Sequence, residues 1–369
     1  MNNENEKENV LLYEVIDPIY MGIRIRNLIR MYNKMYHREV ISEHDTPKIE
    51  RQLKHEILCN CHEFHPYKEK KIYDEHSDKV RILHVPHIRD RIYESVIMQI
   101  VEPAFSLKWT GIPFASITGK GLTLAITKMR RAIGCGDIPK KRDFALKLDI
   151  VKYYQSIDHT LMHKTIDKHF ANDRIIGNNL YSIVDSHSPG LPIGTYSSQF
   201  LANLFLSDLD YACAHINHTF DSKIIRYMDD ILVVCNTYDQ ILYMQDFITN
   251  WCNDHLLNLH EPIIVDFTEN DHTNSIKCVG MLFSHKGVFL TPESKIRMTQ
   301  QYQDIINHIK SDSVTQTDLG QAAAMNGWLS NSTDQTFKNQ LKIKDLIQTL
   351  KEILDRRDIN DRQWNYSIQ

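Results

Sequence analysis

The stretch RYMDDILVV, residues 226–234, decides the reading of this chain. Two adjacent aspartates, Asp229 and Asp230, interrupt a run of β-branched, aliphatic and aromatic residues. IIRYM before them and ILVVC after them have the composition of short buried strands, which predicts a strand–turn–strand junction. Like charges a few ångströms apart raise the free energy of a fold unless a proton or a cation sits between them. For an arbitrary Asp-Asp pair, a solvated hairpin turn is the simpler reading. Here apolar strand flanks the pair on both sides, Tyr227 precedes it, and Asp149 ends a second strand-like segment, LKLDIVKYY. Three carboxylates at neighbouring strand ends make a site for hard divalent cations. Mg²⁺ takes oxygen ligands, commonly one or two carboxylates plus substrate phosphates. Two such ions can stabilise both the attacking and the leaving oxygen of a phosphoryl displacement. The backbone carbonyl of Ile150 is a candidate to complete the shell.

The bulk numbers set the frame. A chain of 369 residues, 42% hydrophobic and 24% charged, has room for two or three subdomains of an ordinary globular protein. No apolar run reaches the roughly 18 residues of a membrane span. The polar, mixed-charge start MNNENEKENV resembles neither a signal nor a transit peptide. Seven scattered cysteines suggest a reduced, cytoplasmic protein without a disulfide framework. The net charge of −4 weighs against a surface that grips phosphates everywhere. However, Lys120, Lys128, Arg130, Arg131, Lys140, Lys141 and Arg142 concentrate positive charge in one segment, enough for a local nucleic-acid face.

Along the chain, residues 10–70 are expected to be mostly helical. Residues 71–92 switch to a strand pattern around a polar turn. IYESVIMQIVEPAF, 92–105, reads as a helix ended by Pro103, and LTLAITKMRRAI as another after the loop 111–121. FALKLDIVKYYQSI, 144–157, reads as a strand running into a tight aromatic turn, and 160–185 is helical. TYSSQFLANLFLSDLDYACAHI reads as one long helix, and 241–257 as another. IKCVGMLF, 276–283, and GVFLT, 287–291, form a hairpin, and the remainder is helical with a break near Asn331 and Ser332. That order predicts an α+β fold with an antiparallel sheet carrying helices on one face.

YMDD within this setting resembles the Tyr-x-Asp-Asp signature of reverse transcriptases. LKLDIVKYYQSIDH is similar to the first catalytic-Asp motif of the bacterial members: group II intron, retron and diversity-generating retroelement enzymes. GLPIGTYSSQFLANLFLSDLD resembles their next motif, and KCVGMLF their primer grip. RILHVPHIRDRIYESVIMQIVEPAF and FASITGKG resemble their fingers. The similarity covers roughly 71–300; GWLSN and the thumb match more loosely, and residues 1–70 hardly at all. The resemblance implies a right-hand polymerase. Residues 1–70 are then a helical extension, 71–142 and 160–190 the fingers, 143–159 and 191–291 the palm, and 292–369 a helical thumb. No RNase H, endonuclease or zinc domain is expected to follow.

By the same resemblance Asp149, Asp229 and Asp230 are the catalytic acids, holding two Mg²⁺ ions with Mn²⁺ as a substitute. Tyr227 packs near the primer end, and Gly280 belongs to the primer grip. Tyr154 falls where the family keeps an aromatic steric gate against a ribose 2′-OH; the alternative is that Tyr153 and Tyr154 are both core. Gly194 lies where the backbone approaches the nucleotide, which a residue without Cβ suits. Lys79, Arg81 and Lys120 are candidates for the triphosphate, against the plainer reading of solvated charges. Arg89 and Arg91 are candidates for template contact, or for an ion pair with Asp90.

There are departures. Ile193-Gly194 and Ser198-Gln199 stand where many relatives have Gln-Gly and Ser-Pro. That version resembles diversity-generating and some defence-associated enzymes, and it suggests relaxed base selection. Ile117 replaces a common arginine, and His260 stands near an expected lysine, as a candidate proton donor to pyrophosphate. Outside the motifs, HEILCNCHEFH, 55–65, matches no zinc-finger spacing and reads as ordinary packing or surface. Cys135 reads as a loop thiol. Trp328 is either core or part of a surface tracking the product duplex.

The implied partners are an RNA template, a DNA primer or product and deoxynucleoside triphosphates. No membrane is involved, and an oligomer stays open. The favoured setting is phage defence with a dedicated non-coding RNA and an accessory protein. Sequence diversification, template-independent or protein-primed synthesis, a nuclease, and an RNA-binding scaffold with a dormant palm are the alternatives.

Overall fold

The computed structural model describes residues 18–36, 40–42, 44–74, 79–106, 108–268 and 274–366. Apolar spacing in the N-terminal region gives two amphipathic helices, α1 (Pro18–Met35) and α2 (Thr46–Cys59). Residues 1–17 of the expected extension lie outside the described residues. Strands β1 (Lys68–Asp74) and β2 (Lys79–Val85) pair antiparallel as a ribbon. β1 begins ahead of the boundary expected at 71, because KEKK is polar on both faces and offers no alternation to read. Helix α3 (Ile88–Ser106) follows and packs on α1 and α2 through Met21, Ile25, Leu53 and Ile57.

Pro103 does not end α3. A proline removes the N–H that would bond the carbonyl four residues back. That carbonyl, of Gln99, accepts instead from Arg24 Nη1 at 2.8 Å, and the helix continues to Ser106.

Helix α4 (Leu122–Ile133) leads to β3 (Phe144–Asp149), the single turn α5 (Tyr153–Ser156), and helices α6 (His159–Phe170) and α7 (Arg174–Asp185). The long helix expected next is two, α8 (Tyr196–Phe205) and α9 (Ser207–Phe220). Leu206 leaves helical geometry between them, and the Ser207 hydroxyl donates to the Leu204 carbonyl at 2.7 Å. Strands β4 (Lys223–Tyr227) and β5 (Asp230–Cys235), helix α10 (Tyr238–Asp254) and strand β6 (Ile263–Asp266) complete the centre. β6 is absent from the sequence pattern; it is four residues long and half-exposed, so no apolar run announces it.

The central sheet has the order β4-β5-β3-β6 and is antiparallel throughout. Its two faces enter different cores. Leu146, Leu148, Ile231 and Val233 pack with Ile241, Met244 and Ile248 of α10. Ala145, Ile225, Leu232 and Val234 pack with Ile126, Met129 and Ile133 of α4. Helices therefore cover both faces rather than one, which is why ILVVC is apolar without alternation.

The expected strand 276–283 folds back on itself. β7 (Ile276–Cys278) and β8 (Met281–Ser284) are joined through Val279 and Gly280, at φ +43° and +76°, and β9 (Gly287–Leu290) adds a third strand. Four helices end the chain: α11 (Pro292–Lys310), α12 (Gln316–Asn331), α13 (Gln335–Leu341) and α14 (Ile343–Tyr366). The break expected near Asn331 and Ser332 is there, with Asp334 accepting from the Phe337 N–H to start α13. Among the described residues no helix is long and apolar enough to cross a membrane. All seven cysteines are free thiols, and Cys135 lies in the loop after α4, where it is buried.

Candidate active site

Strand periodicity places the acids. Alternate residues of a strand share a face, so Ala145, Lys147 and Asp149 of β3 look the same way. In register across the sheet, Asp149 faces Asp230 and Asp230 faces Tyr227. Two carboxylates directly opposite on one face repel. Lys147 answers part of that charge: its Nζ lies 2.8 Å from Asp230 Oδ1, a diagonal cross-strand pair. Burial works against the lysine's charge, but Asp230 and Asp149 hold its ammonium above the usual range. Asp229, in the turn, is pushed up to about 6, first by burial and then by Asp149 and Asp230.

The turn itself is held from beneath. Met228 sits at φ +58°, a left-handed conformation that disfavours a side chain. Arg226, 1% exposed, points to the other face of the sheet, where its Nη1 donates to the Met228 carbonyl at 2.9 Å. The same guanidinium grips Asp210 of α9 bidentately at 2.9 and 2.6 Å and donates to Asn203 Oδ1 of α8 at 2.9 Å. Burial opposes the guanidinium charge; the Asp210 carboxylate more than offsets it, so Arg226 stays charged. Asn203 Nδ2 in turn donates to the Ala115 carbonyl, and the Arg226 backbone bonds Ile112 and Phe114. One buried arginine thus ties the acidic turn to two helices and to the 112–115 loop.

Around the acids, the two tyrosines separate. Tyr153 is core, its hydroxyl donating to the Ala202 carbonyl at 2.5 Å. Tyr154 is half-buried, its phenol pushed up to about 12 by burial and then by the Asp229 charge. The 187–194 loop packs on it: Leu191 N–H donates to the Tyr154 carbonyl at 2.8 Å, and a Cβ on Gly190 would meet that carbonyl. Beyond Asp149, a bridge to Leu259 uses the Asp149 carbonyl, which accepts from the His260 N–H at 2.8 Å, and the Val151 N–H. The Ile150 carbonyl stands outside that bridge.

The family model of reverse transcriptase (RNA-dependent DNA polymerase) matches residues 68–280, more than half the chain. The chain belongs to the reverse transcriptase family. The enzyme class of that family is RNA-directed DNA polymerase, a nucleotidyltransferase. Protein YkfC of Escherichia coli K12 is 22% identical over 173 residues, covering 44% of this chain and 45% of YkfC. Apo telomerase from Candida tropicalis superposes with a TM-score of 0.51 at 11% identity, covering 80% of this chain and 59% of the telomerase chain. That likeness is one of fold, the right-hand polymerase. The chain spans about half the length of these relatives.

The remaining sequence candidates of this reverse transcriptase fall into two groups. In the first, Tyr227 is half-buried on the acids' face of the sheet, packed against the second core, and the others are placed by their own contacts. Gly194, exposed at φ +113°, sets its bare backbone against β2: a Cβ there would come 3.3 Å from the His84 carbonyl. Ile193 is half-buried, and its carbonyl accepts from the His84 N–H at 2.7 Å. Gln199 accepts from the Ser116 hydroxyl at 2.8 Å, and Arg81 stands exposed on β2. Gly280 meets the Trp328 ring, where an added Cβ would come within 3.2 Å, so Trp328 joins α12 to the β7–β8 turn. Lys79 opens β2, and its side chain lies outside the described residues.

The second group is committed elsewhere. The Lys120 ammonium donates to the Thr110 and Pro113 carbonyls at 2.7 and 2.9 Å and lies over the Phe114 ring. Arg89 pairs with Glu56 and Arg91 with the Tyr36 hydroxyl; neither pairs with Asp90. Within the basic segment, Lys140 and Arg142 bind Asp221, and Lys141 donates to the Gly134, Gly136 and His285 carbonyls. Four of the seven cations of the apparent basic face are therefore engaged by groups of the protein itself.

Lys147 and Arg226 are the residues that sequence reasoning missed. Both were visible as lone cations inside apolar strands, a placement that needs a partner.

Proposed function

We propose that this chain copies RNA into DNA, extending a primer at the Asp149, Asp229 and Asp230 cluster. The observation that carries the reading is the register that sets Asp149 opposite Asp230, with Asp229 in the adjoining turn. Burial first, and then the Asp149 and Asp230 carboxylates, raise the Asp229 carboxyl, a setting that a bound divalent cation would relieve. Two Mg²⁺ ions, or Mn²⁺, held by the three aspartates and the Ile150 carbonyl, would supply activation of the primer hydroxyl and neutralisation of charge on the departing pyrophosphate.

The chain's own residues supply position. Lys147 fixes the Asp230 carboxylate, and Arg226 fixes the turn that carries Asp229. Tyr154 presents its ring where a ribose 2′-OH would collide, and Gly194 lets the backbone approach the incoming nucleotide. Residues 71–142 and 160–190 act as fingers, 143–159 and 191–291 as palm, and 292–369 as thumb. Positioning and electrostatics account for most of the acceleration in phosphoryl transfer. The test is primer extension on an RNA template: Asp229→Ala should abolish incorporation with the circular dichroism spectrum unchanged, and retained incorporation rejects the assignment.

The divergent first 70 residues and the acidic net charge support a dedicated partner. We place the enzyme with its own non-coding RNA and an accessory protein, in phage defence. Sequencing nucleic acid that co-purifies with the chain should return one dominant RNA and its complementary DNA; an unselective pool of transcripts rejects this setting. Ile193 and Gln199 in the nucleotide loop support sequence diversification as the second reading.

A further inference from the structure

A cluster at the start of α3 takes no part in polymerisation as described above. His65, His87 and Asp90 each offer a ligand atom, and these atoms lie within 4.8 Å of one another. Asp90 is 1% exposed, whereas both histidines are open to solvent. The cluster therefore has a buried carboxylate as its floor and two accessible imidazoles as its rim. Asp90 Oδ1 lies 2.9 Å from His65 Nδ1, and Oδ2 accepts from the His65 N–H at 2.9 Å. The two rim rings stand 4.1 Å apart at 32°.

Behind them is a supporting layer. His62 Nε2 lies 3.2 Å from Asp90 Oδ1, and its Nδ1 lies 2.7 Å from Glu56, which also pairs with Arg89. The His62 ring is buried by stacking on Tyr93 at 3.9 Å and 7°. Metal sites commonly orient their ligands through an outer layer of imidazoles and carboxylates of this kind.

We propose that His65, His87 and Asp90 form a binding site for a zinc-class divalent metal, with solvent in the fourth position. Two imidazoles and one carboxylate suit Zn²⁺; Mg²⁺ and Ca²⁺ take oxygen sets. Tetrahedral bonds of about 2.1 Å place ligand atoms roughly 3.4 Å apart. The His65–Asp90 pair at 2.9 Å has to open slightly and the wider spacings, up to 4.8 Å, have to close, and rotation of the two exposed imidazoles about the fixed carboxylate does both. The sequence hides the site because His65 alone comes from HEILCNCHEFH, and the other two ligands come from the β2–α3 junction. An occupied site would staple the segment after α2 to α3. That helix also carries Glu94, which accepts from Ser197 of α8 at 2.7 Å.

The test uses the full chain, stripped with a chelator, reloaded with Zn²⁺, desalted and assayed for metal. Wild type should retain zinc at this site, and its zinc absorption edge should show nitrogen and oxygen neighbours with imidazole scattering. His87→Ala leaves the Asp90 contacts with His62 and His65 in place, since His87 Nδ1 accepts only from the Arg89 N–H, at 3.4 Å. That variant should bind zinc at least ~10-fold more weakly, with primer extension unchanged. Wild type that retains no zinc, or a variant that retains it equally, overturns the proposal and leaves a hydrogen-bonded cluster only. Should the variant not fold, the wild-type edge decides alone. Two-histidine scattering supports the site. Sulfur neighbours, as from the competing pair Cys59 and His55 at 3.5 Å, or an oxygen-only shell overturn it.

Discussion

Replacing Arg226 with lysine isolates what holds the acidic turn. The guanidinium makes four bonds: two to Asp210, one to Asn203 and one to the Met228 carbonyl. A lysine ammonium is a compact point charge on a flexible stem and cannot reproduce that planar fork. Each charge-assisted bond lost costs about 1.5–3 kcal/mol, and part is recovered by the remaining charge near Asp210. The net loss should fall near the ~3–5 kcal/mol typical of breaking a buried pair. Met228 keeps its left-handed φ but loses the donor that fixes its carbonyl, so the aspartates drift. Urea unfolding should show a lower midpoint at unchanged slope. Steady-state extension at a temperature where the variant is folded should show a lower kcat with little change in the nucleotide KM. A double variant, Arg226→Met with Asp210→Leu, separates the two roles. Removing both buried charges should restore most stability, yet activity should stay low because the Met228 carbonyl still lacks its donor. Arg226→Lys with wild-type midpoint and rate, or a double variant with full activity, would refute this reasoning.

Three further outcomes follow from the same structure. Burial pushes the Glu94 carboxyl up to about 7 against the Ser197 hydrogen bond, whereas an unfolded glutamate titrates near ~4.3. The native state thus holds the extra proton between those values, and stability falls as pH rises from about 4 to about 7. Glu94→Gln should match wild type near pH 4 and exceed it by about 4 kcal/mol at pH 8; equal urea midpoints at both pH values would contradict this. Tyr154→Val should raise the ratio of ribonucleotide to deoxynucleotide incorporation, and an unchanged ratio removes Tyr154 as the sugar gate. Ile193→Gln should lower the error rate on a defined template, measured by sequencing products; an error rate no lower than wild type rejects a fidelity role for Ile193.

What the sequence disclosed, it disclosed through local pattern. YMDD was legible because its flanks are apolar, and Asp149 because LKLD repeats that context. The α+β class followed from the order of strands and helices. Most of the misses share a cause: they depend on pairing across the chain. Lys147 belongs to Asp230 only once β3 and β5 are in register. The second helical cover of the sheet needs α4 brought over β4 and β5. Pro103 is tolerated because Arg24, far away in sequence, reaches the Gln99 carbonyl. Lys120, Lys141 and Arg142 looked like a phosphate face because carbonyl partners leave no mark in a sequence. The break at Leu206 and the turn at Val279 were missed because the residues around them keep helix-like and strand-like composition.

The most direct trial of the central claim is a crystal grown with Mn²⁺ and an unreactive nucleotide analogue, with diffraction recorded at the manganese edge. Anomalous peaks should lie within bonding reach of Asp149 and Asp229, with the Asp230 carboxylate at their side. Manganese found only elsewhere, with these aspartates closed on Lys147 and one another, would contradict the account.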